Sequence, residues 1–142
     1  MQEPLWQPPK NDRIREHTSE ASNRRIDLQT RAAIAEALES RERIQARLAE
    51  LDREFNVDRV LMLNFAILSS VNASLAMRSL RRRGRLGGWG LVFFSQLGFL
   101  AYHAIWGWCP PLPVFRRLGF RSSREICAER VVLEQQLAAL KP

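Results

Sequence analysis

Two long segments without a charged residue, separated by only eight residues, constrain the fold of this chain more than any other feature. The first covers residues 60–77 and the second covers residues 86–108. As α-helices they would be about 27 Å and about 34 Å long, against a bilayer hydrocarbon core of about 30 Å. So short a connection makes the two helices antiparallel neighbours. The sequence therefore predicts an all-α membrane protein built on a transmembrane hairpin over residues 56–109.

Aromatic and basic residues stand where such a hairpin would meet the two faces of a bilayer. Trp89 lies near one end of the second segment, and Trp106 and Trp108 lie near the other. Tryptophan favours this interface, because its ring is apolar while its N–H binds water. Arginines flank the apolar segments and are expected to bind lipid headgroups. These arginines are Arg81, Arg82, Arg83, Arg85, Arg116, Arg117 and Arg121.

A net charge of +7 also raises nucleic acid as a partner, because clustered arginines neutralise phosphates. Here the basic clusters adjoin apolar segments, and no groove-reading module or aromatic platform is recognisable. We therefore expect the lipid bilayer, and not nucleic acid, as the partner.

Polar flanks surround the hairpin. The first twenty residues lack the apolar stretch of a cleavable signal peptide, so none is expected. Asn56 or Asp58 is expected to cap the first helix of the hairpin, and Ser122 with Glu125 forms a capping-box pattern that opens a last helix. The predicted divisions are a flexible polar tail (1–21), an amphipathic helical segment with a break at Ser40 (22–55), the hairpin (56–109), an interfacial Pro/Arg segment (110–121) and a C-terminal amphipathic helix (122–142).

Two residue patterns predict helix packing. The first is an apolar helix face with 4-3-4 spacing in the segment before the hairpin. Such a face packs on a neighbouring helix or on the membrane surface, or it joins two copies of the chain as a coiled coil. A ridge of small residues recurring every four positions lets two membrane helices approach closely. We therefore expect a homodimer or docking onto a larger membrane complex. The apolar face consists of Ile44, Leu48, Leu51 and Phe55, and the small-residue ridge consists of Ala66, Ser70 and Ser74.

Four polar side chains inside the predicted spans are candidates for function: Asn64, Asn72, Gln96 and His103. An ionisable group within a membrane is a functional hypothesis by default. A neutral His103 hydrogen-bonded to Asn64, Asn72 or a serine of the first span explains it equally well. A haem or proton-transfer role is the other interpretation.

Cys109 stands at the predicted membrane boundary and is the candidate thiol. It would act as a nucleophile that accepts a persulfide or forms a redox disulfide, which requires a lowered pKa. Alternatively it is a small apolar residue before a proline stop. Its spacing from Cys127 indicates neither a metal site nor a disulfide framework. We predict no metal and no cofactor.

Two short motifs carry a family resemblance. Asn56–Arg59 reads N-V-D-R at the entry to the first span, and Gly107–Pro110 reads G-W-C-P at the exit from the second. Over about residues 56–129 the chain resembles a bacterial family of two-span inner-membrane proteins of unknown function. The same hairpin anchors membrane-bound rhodaneses of the YgaP type. The resemblance implies a plasma-membrane hairpin, often dimeric, with both termini cytoplasmic. It brings no catalytic residues to this chain.

The sequence thus favours a non-enzymatic membrane accessory or scaffold protein that packs with itself or with a larger complex. No phosphate loop, Ser/His/Asp set, carboxylate pair or zinc spacing is recognisable. The alternative is a sulfur or redox relay through Cys109 with a rhodanese-like partner. Nine arginines lie within 20 residues of the spans on the side of the termini, against five in the connection. This count favours cytoplasmic termini.

Overall fold

The computed structural model describes residues 6–140, and within that range every regular element is an α-helix. The helices are α1 (Arg13–Glu16), α2 (Glu20–Ala37), α3 (Arg41–Arg53), α4 (Val57–Arg83), α5 (Gly87–Trp106), α6 (Leu112–Leu118) and α7 (Ser123–Ala139). We call α4 and α5 the hairpin, and α1, α2, α3, α6 and α7 the helical domain. The prediction of an all-α chain is confirmed for these residues.

Side chains predicted to cap helices do so. Ser40 accepts a hydrogen bond from the backbone N–H of Arg43 and separates α2 from α3. Asn56 accepts from the N–H of Arg59 and opens α4. Ser122 opens α7 through the predicted capping box. Each cap satisfies a backbone donor that the first helical turn leaves free, which explains why these boundaries could be predicted.

The N-terminal region departs from the predicted flexible tail of 1–21, of which residues 1–5 lie outside the described part. Trp6 is buried in the core of the helical domain. Asp12 is also buried, caps α1 through the N–H of Ile14, and accepts a hydrogen bond from the hydroxyl of Ser122. From Trp6 onward the prediction was therefore wrong, because one large apolar ring and one carboxylate tie the segment to the domain.

The apolar face of α3 packs inside its own chain. Ile44 and Leu51 are buried in a core that α2 and α7 complete, and Leu48 packs against that core. Ile44 and Leu51 are therefore not accessible to a second copy, whereas Leu48 remains partly exposed. Phe55 stays on the surface, with the Arg59 guanidinium 4.6 Å from its ring centroid.

The hairpin connection is shorter than the eight residues expected. α4 continues to Arg83, and Gly84 ends it with a positive φ of 67°. Glycine adopts this left-handed conformation without the steric cost that a Cβ brings. Arg81, Arg82 and Arg83 are exposed in the last turn of α4, where positive charge interacts favourably with the helix dipole.

Length and composition yield one candidate membrane span among the described residues, where two were predicted. The helical segment Arg41–Arg83, which contains α3 and α4, has an 18-residue window with a mean hydropathy of 1.7. Residues 60–77 are its uncharged part. α5 does not reach this hydropathy, because Gln96, His103 and its glycines and tryptophans offset its leucines and phenylalanines.

Candidate functional site at the base of the hairpin

A buried ion pair lies at the centre of the helical domain. Both terminal nitrogens of the Arg116 guanidinium, Nη1 and Nη2, donate to the carboxylate of Glu125, at 2.7 and 2.9 Å, and both side chains are fully buried. Arg116 also donates to Asn23 and Thr18 of the N-terminal region. Arg15 pairs with Glu125 from the other side. The carbonyl of Phe120 accepts the remaining hydrogen bond from Arg116, so all five N–H donors of this guanidinium have an acceptor inside the protein.

Burial alone would raise the pKa of Glu125. Hydrogen bonds and positive charge from Arg116, the backbone N–H of Ser122, and Arg15 outweigh that effect and hold the pKa below its usual value. Glu125 is therefore ionised in the folded protein, as an ion pair requires.

A second buried ion pair joins Arg121 to Glu129. Arg121 also pairs with Glu54 and donates to Thr30, while Arg47 donates to Glu129 at 2.8 Å. Four arginines thus meet these three carboxylates, and a fourth carboxylate, Asp27, pairs with Arg15 at 2.8 Å. This balance removes the charge that would otherwise be left uncompensated in the interior.

These buried ion pairs contradict part of the prediction that arginines around the hairpin bind lipid headgroups. Arg116 and Arg121 face carboxylates inside the protein, so the prediction that they bind phosphates was wrong. The cause is α7, which returns Glu125 and Glu129 to the base of the hairpin. Arg117 is exposed, as are Arg81, Arg82, Arg83 and Arg85 at the far end of the hairpin. The segment 110–121 also forms a helix, α6, in which Leu112 is buried.

Inside the hairpin, one polar pair joins the two helices. The side-chain amide of Asn72 donates to the Gln96 oxygen at 2.8 Å, and Asn72 is buried. Asn64 is partly buried, and no hydrogen bond joins it to His103. Asn72 of the first span thus faces the second helix, but its partner is Gln96 and not His103.

His103 faces a partner that the sequence interpretation had assigned only to helix capping. Its Nε2 lies 3.5 Å from Oδ1 of Asp58, one residue beyond the start of α4. Its Nδ1 is buried without a hydrogen-bond partner in the described structure. One sequence signal pointed to this pair: Asp58 is the last acidic residue before Glu125, so it is the carboxylate closest to the apolar segments.

Three hydrogen bonds fix the hairpin to the helical domain beside this pair. The N–H of Val57 donates to the carbonyl of Arg121 at 2.8 Å. Asn56 donates to the Ser123 hydroxyl, which in turn donates to Asp58. The start of α4 is therefore held to the start of α7 by a chain of polar contacts that reaches His103.

The end of α5 is held by the N-terminal region. Gly107 ends the helix with a positive φ of 76°, and a Cβ added there would lie 2.8 Å from the Cβ of Arg13. The Arg13 guanidinium donates to the carbonyl of Ile105, which the helix itself leaves free. A glycine is needed here for conformation and for close contact.

A cleft of about 240 Å³ opens at this junction. Two polar residues line it, Asp58 and His103, and the other lining residues are apolar or glycine: Ile14, Leu61, Met62, Leu100, Ala104 and Gly107. Met62 is 65% exposed, so the cleft reaches the outer surface of the hairpin. Part of the site is thus an apolar recess with one carboxylate and one imidazole.

The candidate thiol lies near the junction but is not accessible. Cys109 is fully buried among Ile14, Val57, Leu61 and Leu112. Burial raises its pKa, and the Asp58 charge adds to this increase against a hydrogen bond from Leu112. Both effects disfavour a reactive thiolate. Cys127 is free and exposed on α7.

The outer surface of the hairpin carries its apolar side chains. Large apolar residues are exposed along both helices, among them Leu68, Val71, Leu91, Phe94 and Ile105. The small-residue ridge of Ala66, Ser70 and Ser74 is exposed as well, and the two serine hydroxyls donate to carbonyls four residues earlier in α4. An apolar surface this extended is typical of a membrane or protein contact.

The described residues contain no group of His, Cys, Asp and Glu side chains suited to a metal ion. Comparison with protein-family models, with curated proteins and with solved structures found no match.

Proposed function

We propose that this chain is a non-enzymatic accessory or scaffold protein of the bacterial plasma membrane. The hairpin crosses the bilayer twice, and the helical domain stays at the cytoplasmic face together with both termini. The protein acts by presenting helix surfaces to a second copy or to a larger membrane complex.

The observation that carries this proposal is the reversal of polarity between the hairpin surface and its interior. Leu91 is 71% exposed, whereas Asn72 is buried against Gln96. Water would favour the opposite arrangement, because exposing apolar area costs about 25 cal/mol per Å². Lipid favours the observed one, because a polar amide needs a partner away from hydrocarbon.

α5 supports a second crossing despite its lower hydropathy. Its 20 residues lack charge, and Trp89 and Trp106 are about half exposed near its two ends. Its most polar side chains, Gln96 and His103, face Asn72 and Asp58 of α4. The residues that lower its hydropathy are therefore directed to the partner helix or suited to the interface.

For assembly, the accessible candidates are the Ala66, Ser70 and Ser74 ridge and Phe55. The ridge supports close helix contact, because its serine hydroxyls already have acceptors within α4. The buried Cys109, with its raised pKa, gives a rhodanese-like relay no support.

Thiol labelling in intact cells tests the topology, and the native exposed Cys127 provides the probe on α7. A second probe, Arg83→Cys, lies at the tip of the hairpin in a Cys127→Ser background. With cytoplasmic termini, an impermeant maleimide labels Cys127 only after lysis and the hairpin tip before it. Labelling of both only after lysis, with release of the protein by alkaline carbonate, would refute membrane crossing.

A further inference from the structure

We propose that one face of α4, at the tip of the hairpin, is a binding site for a phospholipid with a net negative charge. This face carries Arg78, Arg81 and Arg82. Because Arg81 and Arg82 follow Arg78 by three and four positions, the three side chains lie on the same side of the helix. The inference rests on the proposed membrane insertion and adds to it a preference among lipids.

The first argument is that the chain offers these arginines no counter-charge. All three are exposed, and no aspartate or glutamate occurs between Asp58 and Glu125 in the sequence. Asp58 lies at the other end of α4, about 30 Å from Arg78 along the helix axis. Like charges at this spacing also repel each other, so an anion between them would stabilise the tip. The positive charge is therefore available to an anion from outside the chain.

The second argument concerns the level of this face along the hairpin. The hydrogen bond between Asn72 and Gln96 fixes the register of α4 against α5. Seven residues nearer the tip on both helices, about 10 Å further along, this register brings Ser79 to the level of Trp89. The close approach of Gly87 to Ser79 agrees with this, because a Cβ added at Gly87 would lie 3.1 Å from the Ser79 hydroxyl oxygen.

This level is that of lipid headgroups in the proposed orientation. Trp89 is 49% exposed, and tryptophan occupies the interface between hydrocarbon and headgroups. Arg78 adjoins Ser79 and so lies beside this interface, while Arg81 and Arg82 lie within one helical turn beyond it. The three guanidinium groups therefore reach the phosphates of the surrounding lipid.

The third argument is a groove on the same helix face, with a volume of about 560 Å³. Its lining consists of Ala73, Ser74 and Met77 on the side of the membrane interior, and Arg78, Arg81 and Arg82 on the side of the tip. Small side chains at 73 and 74 leave room for the first carbons of an acyl chain, and guanidinium groups bind phosphate oxygens through paired N–H donors. A phospholipid matches both parts of the groove, whereas an acidic peptide matches only the arginines.

Native mass spectrometry of the full chain, released from detergent micelles, tests this site by counting retained lipids. The probes are phosphatidylglycerol and phosphatidylcholine with identical dioleoyl chains, offered at equal concentration. Both carry the phosphate, but choline cancels its charge, so the comparison isolates the net charge of the lipid. One basic residue near an anionic surface strengthens binding about fivefold. With three such residues, wild-type protein should retain phosphatidylglycerol at least about tenfold more strongly.

Two triple variants locate the preference. Replacing Arg78, Arg81 and Arg82 by glutamine, which keeps helix propensity, should lower the preference to about threefold or less. The matched control replaces Arg24, Arg31 and Arg43 by glutamine. It removes the same charge from exposed positions of the helical domain and should leave the preference unchanged.

Equal retention of the two lipids by wild-type protein would overturn the site, and so would equal losses of preference in the two triple variants. If a triple variant misfolds, the single changes Arg81→Gln and Arg24→Gln repeat the comparison, with a loss of about fivefold expected only for Arg81→Gln. The membrane location is tested separately by labelling and carbonate extraction. A chain that crosses the bilayer without any lipid preference would refute this site alone.

Discussion

The helical domain and the hairpin of this chain place polar and apolar groups in opposite ways. In the domain, apolar residues such as Ile44 and Leu133 form the core, and buried charges occur in pairs such as Arg116 with Glu125. In the hairpin, apolar side chains cover the outside, and an amide pair joins the helices within. The contrast is the arrangement that the proposed membrane insertion of the hairpin requires, although one short junction connects the two regions.

The largest effect is expected from neutralising the central carboxylate of the domain. Glu125→Gln keeps the capping box, because Gln also serves there, but leaves Arg116 without its counter-charge. Removing one partner of a buried pair costs about 3–5 kcal/mol. Thermal or urea unfolding in mild detergent, followed by circular dichroism, measures the loss.

The exposed pair Arg24 with Glu20 is the control, and Glu20→Gln should cost about 0–1 kcal/mol. Equal losses would remove the contrast between buried and surface charge.

The same carboxylate predicts a dependence of stability on pH. The folded-state pKa of Glu125 lies below its usual value, so its contribution is present at neutral pH. The free energy of unfolding should fall as pH drops below the usual carboxyl range and through the lowered pKa, because the unfolded state then binds more protons. Urea titrations at a series of acidic pH values measure this. Glu125→Gln should show a shallower acid-side slope than wild type.

The second effect contrasts two exposed leucines. Leu68 is 44% exposed at the middle of residues 60–77, and Leu28 is 62% exposed on α2. An aspartate at the centre of a span costs about 2.5–3.5 kcal/mol of insertion free energy, whereas one on a water-exposed helix costs little. Leu68→Asp should therefore reduce the protein recovered in carbonate-washed membranes, and Leu28→Asp should not. If both variants stay fully membrane-bound, the surface of α4 does not face lipid.

The smallest effect concerns the amide pair inside the hairpin. A double-mutant cycle of Asn72→Leu and Gln96→Leu isolates its coupling, which in membranes averages about 0.6 kcal/mol and reaches about 1.7 kcal/mol. Unfolding in detergent by increasing fractions of dodecyl sulfate is a suitable measurement. Ser70→Ala is the control, because its hydroxyl donates to the Ala66 carbonyl within α4 and not to α5. A coupling near zero would mean that the buried amides do not hold the helices together.

Patterns along the chain were sufficient to predict most helices and their starts. Ser40, Asn56 and Ser122 were identified as breaks or caps, because a capping side chain acts on a backbone donor two or three residues away. The two uncharged segments likewise predicted a pair of antiparallel helices. The prediction that Arg116 and Arg121 bind lipid headgroups was wrong, because their contacts are not local in the sequence. Their partners, Glu125 and Glu129, sit on a helix whose direction is not encoded in local spacing.

The sequence by itself determined where helices begin, where charge is missing and which helix faces are apolar, since all of these depend on residues within a few turns. Only the tertiary structure decided that Trp6 belongs to a core and that Cys109 is inaccessible. It also decided that His103 meets Asp58, 45 positions earlier in the chain. Contacts at such separation depend on how helices pack, and many arrangements satisfy the same local pattern. The cleft lined by Asp58 and His103 also depends on tertiary structure, because residues from α1, α4 and α5 form it together.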